Sequence, residues 1–383
     1  MNKTVFGAEQ ARVQADFEWL HAHPELPYEE FETTVYIRAA LEAAGVEILP
    51  YALATGVVAQ VAGKPGGPVV ALRADIDALP VQEECDLPYK SLTPGKMHAC
   101  GHDMHTATLL EAARLLQQAK DRLPGTVRLI FQPAEESGVG AVKILQTPAL
   151  DDVDVIFALH TAPNYPVGTY GFRHGAVTAS VDKFAITLKG RGVHAAYPEK
   201  GIDPLVAGAA LVQSLQTILS RNIHPEQPAV LSIAHFEAGK TWNVIPETAF
   251  LEGTVRTLSK EARALIPTRM QAITQGVAAA YGCTADFRWE ACSPATDNHP
   301  RWCDFAADVA RAQGIEAVLD PTSMLGEDFA LFQEKVPGVY IHAGIGLTAP
   351  NHNPLFCVDP VCLAPAAEYS CALVAAALQK LAQ

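Results

Sequence analysis

The densest group of side chains that could bind a metal lies in residues 98–105, which read HACGHDMH. Thiolate and imidazole together are the ligands that zinc and similar divalent ions prefer. Gly101 would let the backbone turn so that Cys100 and His102 approach one ion. The segment alone is equally consistent with a polar loop that caps the helix starting near Thr106.

A pair of adjacent glutamates, Glu135 and Glu136, follows an apolar segment in the sequence FQPAEES. Pro133 suits the first turn of a helix, and consecutive helical residues point about 100° apart. One carboxylate could therefore bind a metal while its neighbour acts as a base. Acidic residues in a first helical turn also complement the helix dipole, and the pattern by itself favours that simpler interpretation.

Two further histidines become informative only in combination with these segments. His160 closes an apolar strand, where a lone histidine is ordinarily a core residue, and His352 lies in the turn-rich sequence PNHNP. The combined candidate ligands are Cys100, His102, Glu136, His160 and His352. They exceed the four ligands of a tetrahedral zinc site. They suit a pair of ions, which at about 3.5–4 Å apart can polarise a carbonyl and activate water together.

These residues fall where a layered α/β fold would bring them together. The pattern predicts strands over 56–61, 68–73, 126–131 and 153–160, and helices over 8–22, 31–45 and 106–120. Such alternation indicates a mixed, mostly parallel sheet flanked by helices. Sites in such sheets form at the carboxyl ends of the strands. The polar residues at predicted strand ends are Asp75, Asp77, Glu135, Glu136 and His160.

The pattern changes near residue 178. Between residues 182 and 290 it reads β-α-β-β-α-β, which indicates a small ferredoxin-like α+β domain. After this segment the α/β pattern of the first part of the chain resumes, with helices predicted over 301–313 and 365–381. We therefore predict a discontinuous catalytic domain formed by residues 1–178 and 292–383, with residues 179–291 inserted into it.

The composition excludes several classes of protein. The 383 residues are 49% hydrophobic and 18% charged, the opposite of the balance that disorder requires. A net charge of −14 and the lack of a basic cluster argue against nucleic acid and anionic membranes as partners. We expect no membrane span, because no apolar run is long enough, and no secretory signal. The eight scattered cysteines are typical of reduced thiols, so we expect a cytoplasmic protein.

Ten segments between residues 21 and 359 carry a family resemblance. They read HAHPELPYEEFET, LRADIDALP, HACGHDMH, FQPAEES, LHTAP, GVHAAYPEKGIDP, NVIPE, GTVRT, GEDFA and NHNPLF. This series resembles the M20 metallopeptidases, specifically their amidohydrolase branch, subfamily D. That branch includes hippurate hydrolase, N-acyl-amino-acid amidohydrolases and plant auxin-conjugate hydrolases. HACGHDMH together with the Glu-Glu pair is highly specific to the group.

The resemblance implies two divalent ions in each subunit, which could be zinc, manganese, nickel or cobalt. The ligands that it implies are Cys100, His102, Glu136, His160 and His352. It also implies that Glu135 is the general base that takes a proton from water, and that Asp75 orients the metal site. Arg73 stands where other M20 branches place a ligand histidine, so the Cys100 site replaces that ligand.

The resemblance further implies that the 179–291 insert is a lid and dimerisation domain. In M20 enzymes a histidine of this insert stabilises the oxyanion, often in the active site of the partner subunit, and His194 matches it. Asn243 and Arg256 match lid positions that bind the substrate's amide or carboxylate. The family expectation is a homodimer, with a homotetramer as the alternative.

Together these features predict a metal-dependent amidohydrolase that cleaves small N-acyl amino acids, with acetyl, benzoyl or similar acyl groups, to a carboxylate and a free amino acid. A dipeptidase or carboxypeptidase could use the same pair of ions on a peptide bond. In a different mechanism Cys100 would be a nucleophile, with His102 or His105 as its base. A metal-binding protein without turnover is the alternative outside the enzymes.

Overall fold

The computed structural model describes residues 6–383. Its helices are α1 (Gln10–Ala22), α2 (Phe31–Ala43), α3 (His102–Gln118), α4 (Gly140–Leu145), α5 (Pro204–Arg221), α6 (Lys260–Ala280), α7 (Pro300–Ala312), α8 (Phe329–Gln333) and α9 (Leu363–Leu381). Its strands are β1 (Glu47–Ile48), β2 (Val57–Ala62), β3 (Val69–Asp75), β4 (Thr126–Gln132), β5 (Val155–Ala162), β6 (Thr169–Phe172), β7 (Gly175–Thr178), β8 (Asp182–Lys189), β9 (Val193–His194), β10 (Ala229–Ala238), β11 (Val244–Ile245), β12 (Thr248–Thr257), β13 (Thr284–Ala291), β14 (Thr296–Asn298), β15 (Glu316–Leu319) and β16 (Gly338–Gly344).

The chain folds into two compact units. The first contains the residues up to Gly175, together with Asp297–Pro321 and Asp328–Gln383. The second contains Ala176–Thr296 and Thr322–Glu327. The second unit therefore includes a short segment that lies outside the range 179–291 predicted for the insert.

A mixed sheet of eight strands forms the centre of the first unit, in the order β1-β2-β4-β3-β5-β16-β6-β15. Strand β3 is parallel to β4 and β5, and β16 is parallel to β5. Strands β1 and β6 are antiparallel to their neighbours β2 and β16, and β2 is antiparallel to β4. The carboxyl ends of β3, β4, β5 and β16 therefore meet at one edge of the sheet, where such folds place their sites.

Helices cover this sheet and bury its central strands. All seven residues of β3 are buried, as expected for a parallel strand with helices on both faces. Leu116 of α3 and Leu378 of α9 belong to the same buried core. The segment Pro360–Leu381 is long and apolar enough to cross a membrane by length and composition. Because most of this segment is buried in the core, we interpret α9 as a core helix.

The second unit contains an antiparallel sheet in the order β10-β12-β8-β13. Strand β8 alternates between buried and more exposed residues, and Phe184, Ile186 and Leu188 lie in a core with α5 and α6. The chain order β8-α5-β10-β12-α6-β13 is the ferredoxin-like arrangement.

The predicted fold class is confirmed, and three details differ from the sequence expectations. Short elements such as β6, β15 and α8 were not predicted, because so few residues show no periodicity. Helix α3 begins at His102, so His102 and His105 are helical residues. His160 does not close its strand, because β5 continues to Ala162, and His160 pairs in register with His342 of β16.

A buried histidine joins α1 to the start of α3. His21 Nδ1 lies 2.6 Å from Asp103 Oδ2, and His21 Nε2 lies 3.2 Å from Glu83 Oε1. Burial by itself would lower the pKa of His21, but its hydrogen bonds with Asp103 and Glu83 outweigh burial and raise the pKa to about 9. At neutral pH His21 is therefore an imidazolium that ties three segments together beside the HACGHDMH motif.

We expect His21 to make the stability of the protein depend on pH. Because the folded pKa of about 9 exceeds the ordinary value of 6.5, the stabilisation is complete below the ordinary value and is lost as the pH rises through the folded value. The free energy of unfolding of the wild type, minus that of His21→Asn, should fall by about 3 kcal/mol between about pH 6 and about pH 9.5. Urea unfolding at both values measures this difference.

The control is His23→Asn in the same segment, because His23 Nδ1 contacts the carbonyl of Trp19 and not a carboxylate. The difference in the free energy of unfolding between the wild type and His23→Asn should not fall with pH in this way. A wild-type advantage over His21→Asn that stays constant across the pH range would contradict the assignment of the charged imidazole.

Candidate metal centre

The structure brings all five predicted ligands together at one edge of the first unit's sheet. Cys100 and His102 flank Gly101 at the start of α3. Glu136 lies in a short 3₁₀ turn, Glu135–Ser137, that follows β4. His160 projects from β5, and His352 lies in the loop after β16. Four separate parts of the chain therefore contribute to one cluster.

The donor atoms of these side chains face one another at short distances. Cys100 Sγ lies 3.5 Å from His160 Nε2. Glu136 Oε1 lies 3.2 Å from His352 Nε2 and 3.9 Å from His102 Nε2. Glu136 and Cys100 therefore lie between the three imidazoles, which is a suitable arrangement for ligands that share two neighbouring ions.

The donor set fits divalent metal ions. Two overlapping triads, Cys100–His102–His160 and Cys100–Glu136–His352, each have ligand atoms that all lie within 4.8 Å of one another. The Nε2 atom of His102 is buried and has no hydrogen-bond partner among residues 6–383, an arrangement that is costly unless a ligand pairs with it. Sulfur, imidazole nitrogen and carboxylate oxygen are together suited to zinc and similar ions.

Gly101 is required by the close approach of its backbone to β5. Its φ is +82°, and a Cβ atom at this position would lie 2.4 Å from Thr161 Cγ2. The Thr161 hydroxyl donates to the carbonyl of Cys100 at 2.6 Å. These contacts fix the turn between Cys100 and His102, as the sequence predicted for Gly101.

Two buried carboxylates hold the turn that carries the glutamate pair. The amide N–H of Ala134 donates to Glu30 Oε1 at 2.8 Å. The amides of Glu135 and Glu136 donate to the two oxygens of Asp77 at 3.0 and 2.9 Å. Ala134 has a φ of +56°, which is uncommon for a residue with a side chain. Buried carboxylates thus bind three successive amides, and Ala134 with its positive φ leads into the 3₁₀ turn that carries the glutamate pair.

Asp77 also contacts a predicted ligand directly, since its Oδ1 lies 3.3 Å from His102 Nδ1. A hydrogen bond of this kind orients the ring and directs Nε2 toward the cluster. The role of orienting carboxylate was predicted for Asp75, whose Oδ2 lies 3.7 Å from His102 Nε2. Asp75 makes its shortest contacts, both at 2.5 Å, to Arg73 and His105.

Sequence reasoning did not assign functions to Asp77 and Glu30. Asp77 had one usable signal, because it follows β3 in LRADIDALP at the edge where polar residues converge. No feature of the sequence pointed to Glu30, because its contact is with Ala134, which lies 104 positions away in the chain.

The remaining histidines of HACGHDMH are not part of the ligand cluster. His105 uses both ring nitrogens, since Nδ1 bonds to Asp75 and Nε2 accepts from the amide of Thr161 at 2.9 Å. His98 is buried, and its burial lowers its pKa to about 4. His105 is therefore unable to act as a base for Cys100 without losing an existing hydrogen bond.

Burial favours the uncharged forms of two of the five proposed ligands, Cys100 and His160. Burial, together with the charge of Glu136, raises the pKa of the Cys100 thiol to about 12. Burial also lowers the pKa of His160 well below its ordinary value. A neutral imidazole can bind a cation directly, whereas the thiol must first release its proton, and a bound cation would stabilise the resulting thiolate.

The three residues predicted to bind substrate lie in the second unit. His194 is exposed on β9 and pairs with Val244 of β11. The neighbouring amide of Ala195 donates to the carbonyl of Asn243 at 3.0 Å, so His194 and Asn243 lie in the same two-stranded ladder. Arg256 lies on β12, where burial lowers its pKa. The roles of all three stay predictions.

We expect Asp77→Asn to weaken metal binding, because an amide cannot accept from both backbone N–H groups and also contact His102. Loss of such an orienting partner typically lowers metal affinity about 10- to 100-fold. Titration of the metal-free protein with zinc against a competing chelator measures the change. Asp86→Asn, at an exposed position of the same unit, is the matched control. An affinity of Asp77→Asn equal to that of the control would contradict the role of Asp77.

Comparisons with known proteins identify relatives over most of the chain. The family model described as peptidase family M20/M25/M40 matches residues 71–376. The chain is 46% identical over 363 residues to N-acetylcysteine deacetylase of Bacillus subtilis, covering 94% of this chain and 96% of that protein. It is 38% identical over 350 residues to thermostable carboxypeptidase 1 of Saccharolobus solfataricus, covering 89% and 88%.

A solved structure is also similar over almost the whole chain. It is the crystal structure of the Bacillus subtilis YXEP protein, described as a dinuclear metal binding peptidase from the M20 family. The similarity has a TM-score of 0.89 at 42% identity and covers 97% of this chain and 98% of that one. The extent of these matches shows that the chain belongs to peptidase family M20/M25/M40.

Proposed function

We propose that this protein is a metal-dependent amidohydrolase that cleaves N-acyl amino acids to a carboxylate and a free amino acid. The observation that carries the proposal is the position of Glu135 beside the cluster of metal-binding side chains. His102, Glu135 and Glu136 have ligand atoms within 4.8 Å of one another. The relatives named as an N-acetylcysteine deacetylase and as a dinuclear metal binding peptidase support it.

Cys100, His102, Glu136, His160 and His352 would hold two divalent ions. Such ions polarise a carbonyl and lower the pKa of bound water toward neutrality. This ligand set accepts zinc, manganese, nickel and cobalt.

Glu135 is the residue that we assign to proton transfer. Its backbone is fixed by Asp77, and its Oε1 accepts from the amide of Asp328 at 3.3 Å. A carboxylate held in this way can take a proton from the attacking water and pass it to the leaving nitrogen. The adjacent Glu136 contacts His352, so the two glutamates would divide proton transfer and metal binding between them.

The second unit would supply contacts to the substrate. We propose that it acts as a lid and dimerisation domain, with His194 donating to the developing oxyanion. In this proposal Asn243 and Arg256 bind the amide or carboxylate of the substrate, for which the fork of an arginine is well suited. We also propose a homodimer, or a homotetramer, in the cytoplasm. All eight cysteines are free thiols, which agrees with a reducing compartment.

A peptidase is the second candidate, and the thermostable carboxypeptidase relative favours it. The same donors and the same base would serve on a peptide bond. Hydrolysis of N-acetyl, N-benzoyl and longer N-acyl amino acids, compared with dipeptides, distinguishes the two. For a nucleophilic Cys100, His102 is the remaining candidate base, because both ring nitrogens of His105 are occupied.

We expect Glu135→Gln to bind metal like the wild type but to lose turnover by about 10²- to 10⁴-fold, because glutamine keeps the shape and cannot accept a proton. Metal content and the hydrolysis rate of N-acetyl amino acids measure the two properties. Glu334→Gln, at an exposed position of the first unit, should leave both unchanged. Near-normal turnover by Glu135→Gln would remove the proposed base.

Chelation should abolish hydrolysis, and added zinc or manganese should restore it. Alkylation of thiols is a weaker test, because a cysteine ligand and a cysteine nucleophile would both be blocked. Full activity after chelation, together with loss of activity after alkylation, would replace the metal mechanism with a nucleophilic Cys100.

We expect mixed subunits to show whether His194 acts across a dimer interface. Both His194→Ala and Glu135→Gln should be nearly inactive alone. A randomly mixed dimer population would regain about a quarter of the wild-type sites if each site uses His194 of the other subunit. Light scattering of the mixture measures whether dimers have formed. Mixed dimers that form without recovered activity would contradict action in trans.

A further inference from the structure

A second histidine lies beside the proposed ligand His160 and has no part in the metal cluster. His342 of β16 pairs in register with His160 of β5, so both side chains stand on the same face of the sheet. Their ring centroids are 5.9 Å apart with the rings nearly perpendicular. His342 therefore lies directly beside one of the proposed metal ligands.

A buried carboxylate fixes the orientation of this ring. His342 Nδ1 lies 2.5 Å from Asp320 Oδ2, and the Tyr165 hydroxyl donates to Asp320 Oδ1 at 2.8 Å. The backbone of Asp320 is held as well, because Arg173 donates to its carbonyl at 2.6 Å. Asp320 thus orients His342 through Nδ1 and leaves Nε2 for another partner.

The strand next to β16 is shaped to admit this carboxylate. Gly171 of β6 pairs with His342, and a Cβ atom on Gly171 would lie 2.5 Å from Asp320 Oδ1 and 2.9 Å from Tyr165 Cε2. A side chain on Gly171 would therefore displace Asp320 from His342. His160, His342 and Gly171 form a row across three neighbouring strands, which we call the β16 row.

His342 differs from the buried histidines that have structural roles in this unit. His21 and His105 each use both ring nitrogens in hydrogen bonds. Within residues 6–383 the structure shows one hydrogen bond of the His342 side chain, through Nδ1, and this side chain keeps 19% of its surface exposed. A histidine that is oriented by a buried aspartate and still accessible at Nε2 has the properties of a binding group.

We propose that His342 Nε2 is a specificity-determining hydrogen-bonding group that recognises a hydroxyl or thiol near the scissile carbonyl of the substrate. A hydroxyl or thiol can donate or accept, so it suits Nε2 in either protonation state. This inference rests on the proposed function. It narrows the substrate class to N-acyl amino acids with a small polar group on the first carbon of the side chain or of the acyl chain.

Two pairs of isosteric substrates test the inference. N-acetylserine and N-acetylcysteine are compared with N-acetyl-2-aminobutyrate, in which a methyl group replaces the hydroxyl or thiol. N-glycolylalanine is compared with N-propionylalanine in the same way for the acyl side. The wild type should prefer the polar member of one of the two series by about tenfold in kcat/KM. The series that shows this preference identifies the side of the amide on which the recognised hydroxyl or thiol lies.

Variants of the β16 row should remove this preference. Two variants should each reduce the ratio of kcat/KM between polar and apolar substrates to less than about twofold. They are His342→Leu, and Gly171→Ala, in which the added methyl group would displace Asp320. His342→Gln keeps a polar group and should retain part of the preference. The matched control is His174→Leu, because His174 forms a similar pair with Asp304 at 2.7 Å on the exposed surface. It should leave the ratio unchanged.

A binding measurement separates failure of the inference from failure of the proposed function. Calorimetry with zinc-loaded Glu135→Gln, with and without His342→Leu, gives the affinity ratio of the same compounds without turnover. If the wild type hydrolyses the apolar substrates but shows no preference for the polar substrates that depends on His342, the inference is overturned and the proposed function stands. Binding that depends on His342, without hydrolysis by the wild type, would support the inference and contradict the proposed function.

Discussion

The carboxylate of Asp77 binds three groups of the proposed site at once. Its two oxygens accept the amides of Glu135 and Glu136, and Oδ1 also lies 3.3 Å from Nδ1 of His102. One side chain thereby fixes the positions of the proposed base and of two proposed ligands. Because Asp77 lies two residues beyond the end of β3 and is buried, the geometry of the site depends on this central strand of the sheet.

The rest of the fold supplies rigid positions for groups that are distant in the sequence. Adjacent strands β4, β3, β5 and β16 end at one edge and bring Glu136 and His160 toward the start of α3. Gly101 and Ala134, both with positive φ, make the sharp turns that direct the ligands inward. Buried partners hold these turns, so little reorganisation would be needed when a cation binds.

Much of this arrangement could be predicted from the sequence. The order of helices and strands, the ferredoxin-like second unit and the convergence of Cys100 with His160 followed from periodicity and from the motif resemblance. The assignment of strand β5 was less accurate, because the polar residues His160 and Thr161 hid its continuation to Ala162. Apolar patterns cannot locate the end of a strand whose last residues carry polar side chains.

The partners of the site residues could not be predicted, because they depend on contacts across the sheet. Glu30 bonds to Ala134 and Asp320 bonds to His342 only after distant segments have packed together. The glutamate pair was expected in a helical turn that begins near Pro133. The structure has a single 3₁₀ turn, Glu135–Ser137, preceded by Ala134 with a positive φ, and two buried carboxylates bind the amides of this segment. Tertiary hydrogen bonds thus decided the local structure at the positions that matter most for chemistry.

In the proposed mechanism five side chains from distant parts of the chain hold two cations, and the carboxylate of Glu135 lies beside them as the base. Crystals of the protein grown with zinc or manganese, with diffraction measured at the absorption edge of the metal, test this claim most directly. We predict two anomalous peaks about 3.5–4 Å apart, bounded by Cys100, His102, Glu136, His160 and His352, with Glu135 beside them. Peaks located elsewhere, or full occupancy of the cluster by a single ion, would contradict it.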